Sequence, residues 1–117
     1  MNTFLCYSKC TTCQKAKKWL DENGISYTLR EIKAENPTKE ELFLWHQKSG
    51  LPLKKFFNTS GLLYRSMELK DALPKMTQDE MLSLLATNGM LVKRPIFLGK
   101  DFVLVGFSEE KWREALR

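Results

Sequence analysis

A switch of periodicity around two cysteines limits what this chain can fold into more than any other feature. Thr3-Phe4-Leu5-Cys6-Tyr7 is short, apolar and aromatic, the pattern of a buried β-strand, and Ser8-Lys9 interrupts it. From Cys13 onward the apolar residues Ala16, Trp19 and Leu20 recur at spacings of three and four, while Lys15, Lys17 and Lys18 take other faces. That spacing predicts an amphipathic helix, with Asn23-Gly24 as its C-terminal stop. Ile25-Ser26-Tyr27-Thr28-Leu29 returns to alternation and Arg30-Glu31-Ile32 extends it as a second strand. Strand, helix and strand make a βαβ unit, so the two strands should be parallel with the helix crossing one face. Cys10-Thr11-Thr12-Cys13 stands at the first junction, and Cys10 opens the helix.

This position has chemical consequences. The unpaired N–H groups and the dipole of a helix N-terminus favour a thiolate over a thiol, by about 0.3 to 1 kcal/mol at exposed sites. A thiol brought from about 8.5 to about 7 goes from a few per cent ionised at neutral pH to about half. Cys10 is therefore the candidate nucleophile. Cys13, one helical turn on, is placed to attack a mixed disulfide at Cys10 and close an internal one, which makes it the candidate resolving thiol. An inert structural pair is the alternative. A structural zinc site needs four ligands, and beyond the pair the chain offers only Cys6 and His46, so neither metal nor another cofactor is expected. Cys6 reads as a small buried hydrophobe on the first strand, and His46 as a surface or packing residue.

Asn36-Pro37 breaks the second strand, and Thr38 with Glu41 forms a capping box that opens a helix through Leu42, Phe43 and Trp45 to Gly50-Leu51-Pro52. A turn-rich connector follows over 54–61, then a partly helical stretch from Leu62 to Leu73. Thr77 and Glu80 form a second capping box before Met81, Leu82, Leu84 and Leu85, and Asn88-Gly89 closes that helix. Ile96-Phe97-Leu98 and Phe102-Val103-Leu104-Val105, joined by Gly99-Lys100-Asp101, read as a β-hairpin. Ser108 can cap a final helix carrying Trp112, Ala115 and Leu116. The order βαβ, helices, ββα describes an α/β, thioredoxin/glutaredoxin-like mixed sheet with a helical insertion over about 36–90, in one domain spanning 1–117.

Tyr7-Ser8-Lys9-Cys10-Thr11-Thr12-Cys13, Lys93-Arg94-Pro95-Ile96, and Val105-Gly106-Phe107 with Ser108-Glu109-Glu110 resemble the arsenate reductase family of ArsC type, including its Spx and MgsR-like branch, nearly end to end. The resemblance implies that Cys10 attacks arsenate or a related oxyanion or disulfide, and that arginines hold the anion. Arg94 matches in the Arg-Pro-Ile motif, and Arg65 is the match in the insertion; near Val105-Gly106-Phe107, where a third would fall, there is none. A histidine that family enzymes carry four residues before the nucleophile is replaced by Cys6. Pro95 is implied to be cis and to face the cysteine pair. The reductant is implied to be glutathione, glutaredoxin or thioredoxin. The Spx branch implies a different role, a redox-sensing regulator that binds the RNA polymerase alpha subunit, with Gly50 at the matching contact position.

Three cysteines and a start without a basic region and apolar stretch point to a cytoplasmic protein rather than a secreted disulfide scaffold. No apolar run approaches the roughly 20 residues that cross a bilayer, so no membrane association is expected. The net charge of +5 is spread over helix faces interleaved with acids, and no helix-turn-helix or stacking-aromatic signature accompanies it. Direct nucleic-acid binding is not expected.

Overall fold

Side-chain alternation along β1 (Thr3–Cys6) decides the layering. Phe4 and Cys6 join one apolar cluster, while Leu5 between them joins another. The computed structural model describes residues 2–116, and in it β1 pairs in parallel with β2 (Thr28–Glu31) and antiparallel with β3 (Ile96–Leu98). β4 (Val103–Val105) pairs antiparallel with β3, giving a four-stranded mixed sheet in the order β2-β1-β3-β4. With helices on both faces, this is the thioredoxin-like arrangement that the element order predicts.

On the Phe4 face lie α1 (Thr11–Glu22) and the C-terminal α6 (Glu109–Leu116). α1 buries Cys13, Ala16, Trp19 and Leu20. α6 buries Trp112, whose ring packs edge-on against Phe107 at 5.0 Å, Phe4 at 6.3 Å and Trp19 at 6.4 Å. Its indole N–H donates to the Gly106 carbonyl at 3.0 Å, so the aromatic cluster also fixes the chain beyond β4. Ser108 Oγ accepts from the Lys111 N–H at 3.4 Å, the cap expected of it.

The Leu5 face is covered by the insertion. Both capping boxes form: Thr38 with Glu41 opens α2 (Lys39–Ser49), and Thr77 with Glu80 opens α5 (Gln78–Leu85). Between them run a 3-10 turn over Leu53–Phe56 and two short helices, α3 (Leu62–Ser66) and α4 (Leu69–Ala72), with a second 3-10 turn at Leu73–Lys75. Gly50 ends α2 at φ +68°, where a side chain would be strained.

Two details differ from the sequence reading. Strand β2 is four residues long and lies at the sheet edge, with Leu29 half exposed, because Tyr27 rather than Leu29 packs on Phe4, at 5.3 Å between ring centroids. Asn88-Gly89 does not close α5, which ends at Leu85; Asn88 caps a third 3-10 turn, Gly89–Leu91, through the Met90 N–H at 2.8 Å. Gly89 is buried there against the Ile32 carbonyl, where a Cβ would collide with backbone atoms.

Candidate functional site

The turn after β1 delivers Cys10 to the start of α1. Its N–H donates to the Tyr7 carbonyl at 2.9 Å, its carbonyl accepts from Gln14 at 3.0 Å, and its extended backbone (φ −89°, ψ 123°) is that of an N-cap residue. No side chain caps this helix end, so the first-turn amides are left for the Cys10 sulfur or for a ligand beside it. Cys10 is partly exposed and opens onto a cleft of about 620 Å³, whose walls include Thr11, Thr12, Asn58, Lys93 and Arg94. Among the described residues no carboxylate lines this cleft.

Cys13 lies behind Cys10 and is 2% exposed. Its Sγ accepts the Tyr7 N–H at 3.3 Å, and its thiol interacts with the sulfurs of both Cys6 and Cys10. The hydrogen bond to Cys6, reinforced by burial, pushes the Cys13 thiol far above the ordinary range. The same bond, in which Cys6 accepts, lowers the Cys6 thiol. All three cysteines are free. Cys6 is buried as expected, at 5% exposure, but its neighbour is a thiol rather than hydrocarbon alone.

Across the cleft, the Arg94–Pro95 peptide is cis, and Pro95 is buried. The Gly106 N–H donates to the Pro95 carbonyl at 2.8 Å and the Lys93 N–H to the Phe56 carbonyl at 2.7 Å, pinning this segment from both sides. The Arg94 guanidinium lies 5.1 Å from the Tyr7 ring centroid. Its Nη1 has only the Met90 sulfur, at 4.0 Å, and its Nε is buried with no hydrogen-bond partner among the described residues. A charged donor left this way in the wall of the cleft that Cys10 opens onto is chemically suited to an anion.

Arg65 is not brought in. It sits exposed on α3, outside the residues that line the cleft, and makes no ion pair among the described residues. Two cleft residues escaped the sequence reading. Asn58 is 9% exposed in a turn where the Gly61 N–H donates to its carbonyl at 3.1 Å, and Lys93 adds a second cation to the wall. The packing of Asn58 against Gly61 follows from the turn and had no sequence signal beyond Asn58-Thr59-Ser60-Gly61 itself. Among the described residues no group of three or more His, Cys, Asp or Glu is arranged to hold a metal ion. His46 packs edge-on against Phe56, away from the cleft.

Residues 5–115 match the model of the ArsC family. The chain belongs to the ArsC family. It is 57% identical, with a TM-score of 0.95, to the crystal structure of an ArsC family related protein from Bacteroides fragilis, over 97% of this chain and 95% of that one. It is 52% identical to protein YusI of Bacillus subtilis (strain 168), over 96% of this chain and 95% of YusI. It is 31% identical to the global transcriptional regulator Spx 2 of Bacillus anthracis, over 93% of this chain and 82% of that regulator. Both branches implied by the sequence motifs are thus represented among relatives that align over most of their length. No helix among the described residues is long and apolar enough to cross a membrane.

Proposed function

We propose that this ArsC family protein is a thiol–disulfide oxidoreductase acting on anionic substrates, with Cys10 as nucleophile and Cys13 as resolving thiol. The observation that carries this reading is the placement of a partly exposed Cys10 at an uncapped helix start, in a cleft whose charged residues are Lys93 and Arg94 alone. In the first step the Cys10 thiolate attacks one sulfur of a substrate disulfide and expels the other as a thiolate. Cys13 then loses its proton and attacks Cys10 Sγ; the Cys10–Cys13 bond forms as the bond to substrate breaks, and the substrate thiolate leaves. An external thiol, from glutathione, glutaredoxin or thioredoxin, restores the reduced pair. Arg94 and Lys93 hold the substrate anion, and Pro95 fixes Arg94 in the wall. Arsenate would occupy the same cleft, but with Arg65 outside the lining it would meet one arginine there. Free thiols at rest suit the reducing cytoplasm.

The test is covalent trapping. Incubated with glutathione disulfide, Cys13→Ser should accumulate a mixed disulfide at Cys10, and Cys10→Ser should form none. Equal trapping by both variants would overturn the assignment.

A second reading is supported by the identity with Spx 2: a redox-sensing regulator whose Cys10–Cys13 pair reports oxidation to RNA polymerase through the alpha subunit. Gly50, at the exposed end of α2, is the candidate contact. Its neighbours Leu51, Pro52, Leu53, Lys54 and Lys55 carry no acidic residue. Retention of purified alpha subunit on the immobilised protein, lost in Gly50→Arg, would favour this role.

A further inference from the structure

Cys13 has a sulfur neighbour on each side. Its Sγ accepts the Tyr7 N–H at 3.3 Å, and Tyr7 directly follows Cys6, so the side chain of Cys13 lies over the end of β1 rather than out toward the cleft. The alternation of β1 turns Cys6 toward α1, into the same cluster as Cys13, with Cys10 at its edge. The three thiols therefore form a series in which Cys13 is the middle member, between a partly exposed Cys10 at the cleft and a buried Cys6 on β1. A proton acceptor stands beside the inner end. Glu31 is the register partner of Cys6 on β2, its charge acts on the Cys6 thiol, and its Oε1 is buried without a hydrogen-bond partner among the described residues. The mechanism above uses neither Cys6 nor Glu31.

Building on the redox reading of Cys10 and Cys13, we propose that Cys6 is a second resolving thiol that moves the disulfide inward, leaving Cys10 free in the oxidised protein. The step is a thiol–disulfide exchange with no net oxidation. Cys6 gives up its proton, with the Glu31 carboxylate as acceptor, and its sulfur attacks Cys13 Sγ. The Cys6–Cys13 bond forms, the Cys10–Cys13 bond breaks, and Cys10 departs with the electron pair as a thiolate. Departure at the helix start, where the first-turn amides are uncapped, favours that leaving group.

The consequence is a change of behaviour on oxidation. While Cys13 is free, a mixed disulfide at Cys10 is resolved and the substrate released. Once Cys13 is bonded to Cys6, Cys10 can attack a second disulfide, but nothing resolves the product, so the oxidised protein retains that partner covalently. A protein that turns substrate over when reduced becomes one that captures it when oxidised.

The test oxidises the wild-type protein with one equivalent of diamide, quenches in acid, alkylates with N-ethylmaleimide and maps the peptides. A Cys6–Cys13 pair should be found together with alkylated Cys10. Cys10→Ser, which lacks the exposed sulfur through which oxidation enters, should form no Cys6–Cys13 pair under the same conditions, and a pair formed there as fast as in wild type would show that the two buried thiols oxidise without the exchange. In Cys6→Ser, and in Cys6→Ala as a check on folding, Cys10–Cys13 should form while oxidised molecules with alkylated Cys10 disappear. If wild type shows no Cys6–Cys13 pair although Cys10–Cys13 forms readily, the inward step is refuted and the oxidoreductase reading survives. If no Cys10–Cys13 disulfide forms in any variant, both fall together.

Discussion

Arg94→Met separates a binding role from a packing role, because the two predict opposite signs. Methionine is unbranched and reaches as far as the arginine Nε, so the stem is kept while the guanidinium that lies over Tyr7 is removed. In the free protein the charged group is poorly satisfied: Nε is buried without a partner and Nη1 reaches only a thioether at 4.0 Å. An unsatisfied buried donor costs about 1–3 kcal/mol, while the guanidinium over Tyr7 returns about 0.5–2 kcal/mol. The two nearly cancel, and Arg94→Met should leave the folding free energy within about 1 kcal/mol of wild type, or raise it. An anion in the cleft changes the balance, since a hydrogen bond to a charged group contributes about 1.5–3 kcal/mol. At about 1.4 kcal/mol per tenfold, the variant should lose roughly 10- to 150-fold in kcat/KM. The assay compares glutathione disulfide, which carries carboxylates, with bis(2-hydroxyethyl) disulfide, which carries none, alongside urea denaturation of both proteins. The loss should be confined to the anionic substrate and should shrink as salt is added. A variant destabilised by more than about 2 kcal/mol that reduces both substrates at wild-type rates would show Arg94 to be a structural residue and remove the anion argument.

Other consequences follow from the same structure. With all three thiols reduced, native protein should take up one N-ethylmaleimide quickly, at Cys10, and the others only on unfolding; a second fast label on Cys13 would contradict its burial. Gly89→Ala should destabilise the protein by about 3 kcal/mol or more, measured by urea denaturation, because the new methyl meets the Ile32 backbone and neither chain can yield cheaply. Glu41 accepts from Arg30 at 2.7 and 2.9 Å across the β2–α2 junction, and this pairing holds its carboxyl below the ordinary carboxylate range. The depressed value means the pair stabilises the fold above about pH 4.3 and loses that contribution as pH falls through the folded value. Glu41→Gln should therefore cost about 1 kcal/mol at pH 7, a figure reduced for the 34% exposure of the Glu41 side chain, and the gap from wild type should close in acid.

The parts of the fold that local chemistry dictates were legible in the sequence. Thr38 with Glu41 and Thr77 with Glu80 each satisfy two orphan amides within one turn, so their signal is complete in four residues and both helices start where the pattern puts them. The alternation of β1 and the 3.6-residue spacing of α1 likewise report their burial directly. What was hidden depends on long-range contact. Gly89 resembles a helix stop, yet its requirement comes from contact with the backbone of Ile32, far away in the sequence. Arg30 reads as an alternating strand residue, but its place is set by Glu41 and by Trp45, 5.7 Å below its guanidinium. In the site, Cys10, Cys13 and Pro95 are named by motif; Asn58 and Lys93 line the cleft only because chain segments distant from Cys10 in sequence meet it there.

The contrast between a partly exposed Cys10 and two buried thiols also bears on the direction of the proposed chemistry. A substrate disulfide can approach Cys10 alone, since Cys13 and Cys6 are sealed, so oxidising equivalents enter at one point and can leave only by reversing the same path or by passing inward. In the proposed mechanism the Cys6 contact and burial, which raise the Cys13 thiol, hold it protonated until a mixed disulfide forms at Cys10. Attack on a mixed disulfide at Cys10 then requires that Cys13 surrender its proton, and the thiol lies beside Cys6 in the same buried cluster. The residue standing four positions before the nucleophile thus bears on resolution rather than on the first attack, because its contact is with Cys13. On the proposed chemistry, Cys6 differs from the histidine that the family resemblance implies at this position: histidine could accept a proton there, whereas cysteine can also form a bond.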